Sequence, residues 1–278
     1  MRTTVLALVA IAVSGIAACS RAPATAPEGT IAPATAASAA APITPGDPME
    51  GKRIAHRVGC AGCHMPDGRG GGMDVALPTG DRIVAPNLTE RRSLYDNAGL
   101  VALLRLGITH DGHRPFGMPI FMFQHLSDGE VRDIIACLRT LPAVNHPQLA
   151  ESSLTAETLR QIETGEYPYD DDKPDPGNVA PAARPTDALA LGRYLAFTSC
   201  GECHGRDLAG WGPDDPTPSL VVVNKAYTAE TFARLLRTGI AANGKETATG
   251  RMSDTARWRF ATLTRDEIAA LKLYLDSR

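Results

Sequence analysis

The chain has 278 residues, enough for one large domain or for two domains of modest size. Its formal net charge is −3, and aromatic residues make up 5% of the sequence. This composition excludes a strongly basic nucleic-acid-binding protein and a highly acidic disordered one.

Residues 1–18 predict a signal peptide for export. Met1 and Arg2 precede the apolar run VLALVAIAVSGIAA, which is too short to span a membrane as a mature helix and which ends in small residues. The sequence IAAC resembles the lipobox of bacterial lipoproteins, in which the cysteine becomes the lipid-modified first residue. An unmodified thiol is a liability in an oxidising compartment, so we predict lipidation of Cys19, with ordinary cleavage at a nearby alanine as the alternative. We expect the protein to be exported, periplasmic and anchored by lipid to a bacterial membrane.

The segment 19–45 begins at that cysteine and is rich in Ala, Pro, Thr and Ser. It contains too few bulky apolar residues to offset its chain entropy by burial, and so it predicts a tether. Proline stiffens such a segment toward polyproline II, which gives an extended reach on the order of 80 Å.

The rest of the chain contains two similar halves. LLRLGI at 103–108 precedes LSDGEVRDIIACLRTLP, and LLRTGI at 235–240 precedes LTRDEIAALKLYL. Gly107 and Gly239 stand where a helix needs a left-handed C-cap, so a helix is expected to end at each. Amphipathic stretches before residues 60 and 200 predict one more helix in each half, and no convincing strand pattern is present. We predict an all-α fold of two tandem domains, 46–145 and 184–278.

The closing helix of each half is expected to begin with a capping box. The two pairs are Ser127 with Glu130 and Thr264 with Glu267. In this motif the hydroxyl and the carboxylate satisfy backbone amides of the first turn that otherwise have no partner.

The two domains are joined by a linker, 146–183, with eight acidic and two basic residues. TAETLRQIETG predicts a short helix within it. The acidic run YDDDKPDPG is interpreted as a solvated stretch, with a partner-binding site as the alternative.

The pentapeptide CAGCH at 60–64 recurs as CGECH at 200–204. Two residues between the cysteines suit addition of both thiols to the vinyl groups of one haem, and the adjoining histidine then reaches the iron. The candidate cofactor-binding residues are Cys60, Cys63, His64, Cys200, Cys203 and His204. The motifs predict two covalently bound haem c groups, each with its iron.

Two other chemistries use similar residues. Two CxxC knuckles can form a four-sulfur zinc site, but zinc does not require a histidine directly after each pair, and the knuckles are about 140 residues apart. A redox-active dithiol of the thioredoxin type is expected next to a strand in a βαβ frame, which the sequence lacks.

The sixth ligand of each iron is predicted from the residues that remain. After His204 the sequence contains no further histidine, and its only methionine is Met252, with Lys245 as a rare type of ligand. The first half offers more candidates: Met73, Met118, Met122, His110, His113 and His125. Met118 is favoured over Met122 because it has the same place in its repeat as Met252. The predicted metal ligands are His64, Met118, His204 and Met252.

Cys137 is the one cysteine left unassigned. It falls on the apolar face of the closing helix, where Tyr274 stands in the other repeat, so we expect a buried and unreactive core thiol.

Each half resembles a class I cytochrome c domain, with CxxCH at the end of the first helix, GMP or RMS supplying the distal methionine, and a last helix crossing the first. The resemblance covers about 46–145 and 184–278. It implies two tandem class I cytochrome c domains in an exported dihaem protein that carries electrons or serves as a subunit of a respiratory complex.

The resemblance also implies roles for paired positions. The carbonyl groups of Pro86 and Pro218 would accept a hydrogen bond from the haem-ligating histidines. Gly51 and Gly192 would bring the first helix close to the last, against Cys137 in one half and Tyr274 in the other. Arg105 and Arg237 are candidates for contact with haem propionates, with a surface position as the alternative.

We expect electron transfer without a catalytic side chain, because His/Met-ligated iron has no open site for substrate. The expected partners are redox proteins and, through the lipid, a membrane, but no nucleic acid. One alternative is a dihaem cytochrome c peroxidase, for which the stretch THDGHRPFGMPIFMFQH would offer acid/base groups. Another is a cytochrome subunit of a membrane dehydrogenase or oxidase complex.

Overall fold

The computed structural model describes residues 45–167, 173–175, 177, 180–212 and 217–278. The predicted signal peptide, Cys19 and nearly all of the predicted tether lie outside the described residues, as does much of the acidic run of the linker. Within the described ranges, no helix has both the length and the apolar character needed to cross a membrane.

The first half is built from short helices and one small hairpin. In chain order these are α1 (Pro48–Arg57), α2 (Cys60–Cys63), β1 (Asp74–Ala76), β2 (Arg82–Val84), α3 (Leu88–Arg91), α4 (Asn97–Leu106), α5 (Ile120–Phe123) and α6 (Asp128–Thr140). A 3₁₀ turn, Arg92–Leu94, follows α3.

The linker and the second half contain further helices. These are α7 (Ala156–Thr164), α8 (Ala188–Ser199), α9 (Gly201–His204), α10 (Leu220–Val223), α11 (Ala229–Thr238), α12 (Arg251–Thr255) and α13 (Arg265–Asp276). A 3₁₀ turn, Asn224–Ala226, follows α10, and a π-helical segment, Ala256–Phe260, follows α12. The short helix predicted in the linker is confirmed as α7, and the all-α class is confirmed.

The β-hairpin was not predicted from the sequence. β1 and β2 pair in antiparallel register, with Val75 opposite Ile83, and an ion pair between Arg82 and Asp74 runs diagonally across the two strands. Strands of three residues are too short to show a period-two pattern, so hydrophobic periodicity does not reveal them.

The first and last helices of each half cross in close contact: α1 packs on α6, and α8 packs on α13. A Cβ atom at Gly51 would lie 1.8 Å from the Asp133 carbonyl oxygen, and one at Gly192 would lie 1.9 Å from that of Ala270. The same positions would touch Cys137 and Tyr274, as expected from the resemblance. Glycine therefore permits the backbones to meet at both crossings.

Gly107 and Gly239 adopt φ values of 65° and 77° at the C-termini of α4 and α11, so both predicted helix ends are confirmed. The capping box of Thr264 and Glu267 is also present.

The capping box predicted at Ser127 is only half formed. Ser127 accepts a hydrogen bond from the Glu130 amide, but the Glu130 carboxylate contacts Arg57 and the Tyr194 hydroxyl instead of returning to Ser127. The Ser127 amide donates to Tyr194 Oη at 2.8 Å. Tyr194 of the second half therefore takes the place of Glu130 as the partner of the Ser127 amide. A local sequence motif cannot reveal such a contact between the halves.

The described residues from 45 onward form one compact unit, and an ion cluster joins the two halves. Arg53 of α1 contacts Glu267 of α13 at 2.9 Å, and Arg184 contacts the same carboxylate at 2.7 Å. Burial opposes the ionisation of Glu267, but the hydrogen bonds from Arg53 and from the Thr264 amide, together with both arginine charges, outweigh it and hold its pKa below the usual value.

This cluster predicts a loss of stability in acid. A carboxyl group whose pKa is lower in the folded state stabilises the fold above its unfolded pKa of about 4.3, and the contribution disappears as pH falls through the folded value. Thermal unfolding followed from pH 6 to pH 3 should therefore show a falling Tm, and Glu267→Gln should flatten that slope. Glu163→Gln, an exposed position on α7, serves as the control. An unchanged slope in Glu267→Gln would contradict the assignment.

Candidate functional site

Each CxxCH motif directly follows the first helix of its half. In the first half, Gly59 has φ 97°, which turns the chain from α1 into the single turn α2. In the second half, α8 continues through Cys200 into α9. Because residues three apart lie on one face of a helical turn, each pair of cysteines is presented on the same side, with the histidine directly behind it.

A proline carbonyl fixes each motif histidine. His64 Nδ1 lies 3.0 Å from the Pro86 carbonyl oxygen, and His204 Nδ1 lies 2.8 Å from that of Pro218. A carbonyl oxygen only accepts, so each Nδ1 donates, and the lone pair is left on Nε2 for a metal. Burial lowers the pKa of His64, so its ring is neutral at pH 7. This contact is the one that the resemblance implied.

The first motif opens onto a cavity of about 460 Å³ whose lining is mainly apolar. Cys60, Cys63, His64, Pro86 and Met118 all contribute to its walls. A volume of this size is typical of sites for cofactors and other small molecules. Two thiols, an imidazole and a thioether around an apolar cavity fit a covalently attached haem with axial His and Met ligands.

The methionines of the first half have different surroundings. Met118 lines the cavity, whereas Met122 is fully buried in the adjoining core cluster with Phe121 and Phe123. Met73 lines the cavity as well. These positions agree with the choice of Met118, which stays a prediction.

The three histidines considered as ligands also differ. His110 lines the cavity and packs edge-on against Tyr95, with ring centroids 5.4 Å apart. His113 is exposed, and His125 lies 3.7 Å from Asp175. Of these three histidines, His110 is the one that lines the cavity of the first motif.

The second motif shares the histidine–proline contact of the first. His204 is 8% exposed, and Cys200 and Met252 both pack against the core cluster of the second half. Met252 is the second residue of α12, a short helix between α11 and α13. Its assignment as the distal ligand likewise stays a prediction.

Three of the motif cysteines, Cys60, Cys63 and Cys200, are half-buried, and Cys203 is exposed. Burial raises the pKa of Cys60 and of Cys200 to about 12, and that of Cys63 to about 11. In the part of the chain that the structure describes, no group of three or more His, Cys, Asp or Glu side chains is arranged to hold a metal ion. Cys137 is buried under α1, as expected.

The two arginines proposed for propionate contacts have other surroundings. Arg105 donates to the carbonyl groups of Gln124 and Leu126 and pairs with Asp128 at 2.9 Å, which ties α4 to the turn before α6. It does not contribute to the wall of the first cavity. Arg237 is exposed at the end of α11, which agrees with the alternative of a surface position.

Sequence reasoning missed the residues that join the two motif segments. Arg57, the last residue of α1, has a fully buried side chain that donates to Thr198 Oγ1 at 2.8 Å and to Ser199 Oγ at 3.0 Å, just before Cys200. It also pairs with Glu130 at 2.8 Å. An arginine at a helix end usually faces solvent, and no sequence signal marks one that is buried against another domain.

Comparison with known proteins agrees with this geometry. The family model described as Cytochrome c matches residues 48–142 and 189–278, and each match contains one CxxCH motif. No protein in a search of the curated proteins matches the chain. Cytochrome c domains bind haem c covalently and transfer electrons through it. The two matched regions span most of the chain, which therefore belongs to the cytochrome c family.

Proposed function

We propose that this protein is a dihaem c-type cytochrome that transfers electrons between respiratory partner proteins in the periplasm or at the membrane surface. The observation that supports it best is the duplicated histidine geometry, in which a proline carbonyl orients each CxxCH imidazole. Bound haem iron supplies reversible one-electron exchange. The chain's own residues attach the group, orient its axial ligands and exclude water.

Each half provides one set of residues for this task. Cys60 and Cys63 would hold the first haem by thioether links, with His64 and Met118 as axial ligands. The second half offers the corresponding set of Cys200, Cys203, His204 and Met252. A thioether ligand stabilises ferrous iron, so His/Met ligation gives a comparatively high reduction potential.

The location of the protein is part of the proposal and rests on the sequence. The lipobox at Cys19 would provide a lipid anchor, and the Ala/Pro-rich segment after it would let the cytochrome domains reach partners above the membrane. A dehydrogenase, an oxidase or another cytochrome is the expected class of partner.

The deciding experiment combines intact mass with spectroelectrochemistry on the purified protein. We expect the mass of the mature chain plus two covalent haem groups, a methionine-to-iron charge-transfer band for each, and two one-electron potentials. Peptide mapping should place the links on the four motif cysteines.

Two outcomes would contradict the proposal. A mass without haem would remove its chemical basis. A high-spin ferric signal at one site, together with rapid hydrogen peroxide turnover by the half-reduced protein, would favour the peroxidase alternative.

A further inference from the structure

The two CxxCH segments lie on opposite sides of one contact between the halves. A second cavity, of about 470 Å³, is lined by Cys63 of the first motif and by Cys203 of the second. Both points of haem attachment therefore adjoin the same interface.

Aromatic side chains pack across this interface in both directions. A Cβ atom at Gly62, inside the first motif, would lie 2.7 Å from the Trp258 ring of the second half. One at Gly201, inside the second motif, would lie 3.3 Å from the Phe121 ring of the first half. In each motif, therefore, a glycine packs against an aromatic ring of the other half.

Arg259 is buried in the centre of this contact, with only 4% of its side chain exposed. Its Nε donates to the Arg57 carbonyl oxygen at 2.8 Å, and its Nη1 contacts Glu202 at 2.7 Å. Glu202 is one of the two residues between the cysteines of the second motif, CGECH. A Cβ atom at Gly59, directly before the first motif, would lie 2.9 Å from the Arg259 guanidinium carbon. The guanidinium group therefore contacts the chain at both motifs.

The charge of Arg259 lies next to both motif segments, because its guanidinium group contacts the chain at Gly59 and at Glu202. Water and salt screen the buried charge of Arg259 weakly, and they screen Glu202, whose side chain is 34% exposed, more strongly.

A fixed cation next to a redox centre favours its reduced form, because reduction removes one positive charge from the centre. A cation next to two centres favours the reduced form of both. A carboxylate that pairs with the cation cancels part of this effect. The net shift of each reduction potential therefore depends on both side chains.

We propose that Arg259 and Glu202 form a charge pair shared by both haem sites, in which Arg259 positions the two motif segments and raises both reduction potentials while Glu202 lowers them. This inference rests on the proposed function. It assigns a role to residues outside the haem-attachment motif and the axial ligand set.

The test measures both potentials in three variants. Arg259→Gln removes the cation and leaves Glu202 uncompensated, so both potentials should fall, by on the order of tenfold in the reduction equilibrium, which is about 59 mV for one electron. Glu202→Gln should raise both. The matched control is Arg257→Gln, two residues away, whose exposed side chain pairs with Glu246 and Asp254. This control substitution should leave both reduction potentials equal to those of the wild type within experimental error.

Opposite shifts in the two variants, with a double variant close to the wild type, would support the pair, because a purely structural defect does not change sign with the charge removed. Unchanged potentials in Arg259→Gln, or shifts of equal sign in both variants, would overturn it. If Arg259→Gln does not fold, the result for Glu202→Gln decides alone. A wild-type protein without two haem groups would instead contradict the proposed function.

Discussion

Met252→Ala is expected to leave the second haem covalently attached while removing its distal ligand. The thioether links depend on Cys200 and Cys203, which the substitution does not touch. Loss of the thioether ligand should convert that iron to a high-spin form and lower its potential, by on the order of 0.1–0.2 V within the range of about 0.8 V that axial ligands cover. The measurement is electron paramagnetic resonance together with a spectroelectrochemical titration.

Two controls make this result specific. Met118→Ala should produce the same change at the first haem and leave the second unaltered. Met122→Leu, a core position, should leave the ligation of both unaltered. If the second iron kept its methionine band in Met252→Ala, the assignment by elimination would be wrong, and Lys245 would be the next candidate to test.

Gly51→Ala and Gly192→Ala are expected to be the most destabilising of the single substitutions proposed. A new methyl group within 2 Å of a carbonyl oxygen cannot be relieved by rotation of a side chain, because the obstacle is backbone at both sites. The first and last helices must separate, which we expect to cost about 3 kcal/mol or more. Thermal unfolding of the haem-loaded protein should show a Tm lower by roughly 10 °C.

Gly129→Ala is the matched control for these variants, since it also replaces a helical glycine in the first half. Its new Cβ atom would have neighbours no closer than 3.8 Å, so the change should be neutral or stabilising by up to about 1 kcal/mol. Equal Tm values in Gly51→Ala and Gly129→Ala would show that α1 and α6 are not in close contact.

Features that depend on a local sequence pattern, or on the internal repeat, could be predicted from the sequence. Gly107 and Gly239 marked helix ends because only a left-handed residue fits there, and the repeat located Thr264 and Glu267 as a capping box. The contact of Pro86 with His64 and the glycine crossings came from the resemblance, which transfers positions together with their geometry. The all-α class followed from these elements.

Contacts between the halves could not be predicted, because they depend on the relative placement of two domains. Glu130 stands at the capping-box position after Ser127. Its carboxylate nevertheless binds the buried guanidinium group of Arg57 and the Tyr194 hydroxyl, which are stronger partners than a backbone amide. Arg259 and Trp258 occur in a segment without any motif. Their importance is visible only once the halves are folded together.

The start of the linker is bound to the first half. Ser153 pairs with Arg82 of β2, Ser152 Oγ accepts from the Val84 amide, and Asp81 accepts from the Thr155 amide at 2.7 Å. The hairpin edge is therefore covered by residues that follow the last helix of that half. A shortened chain ending after α6 would expose this edge to self-association, so a separately expressed half should extend through Gly165.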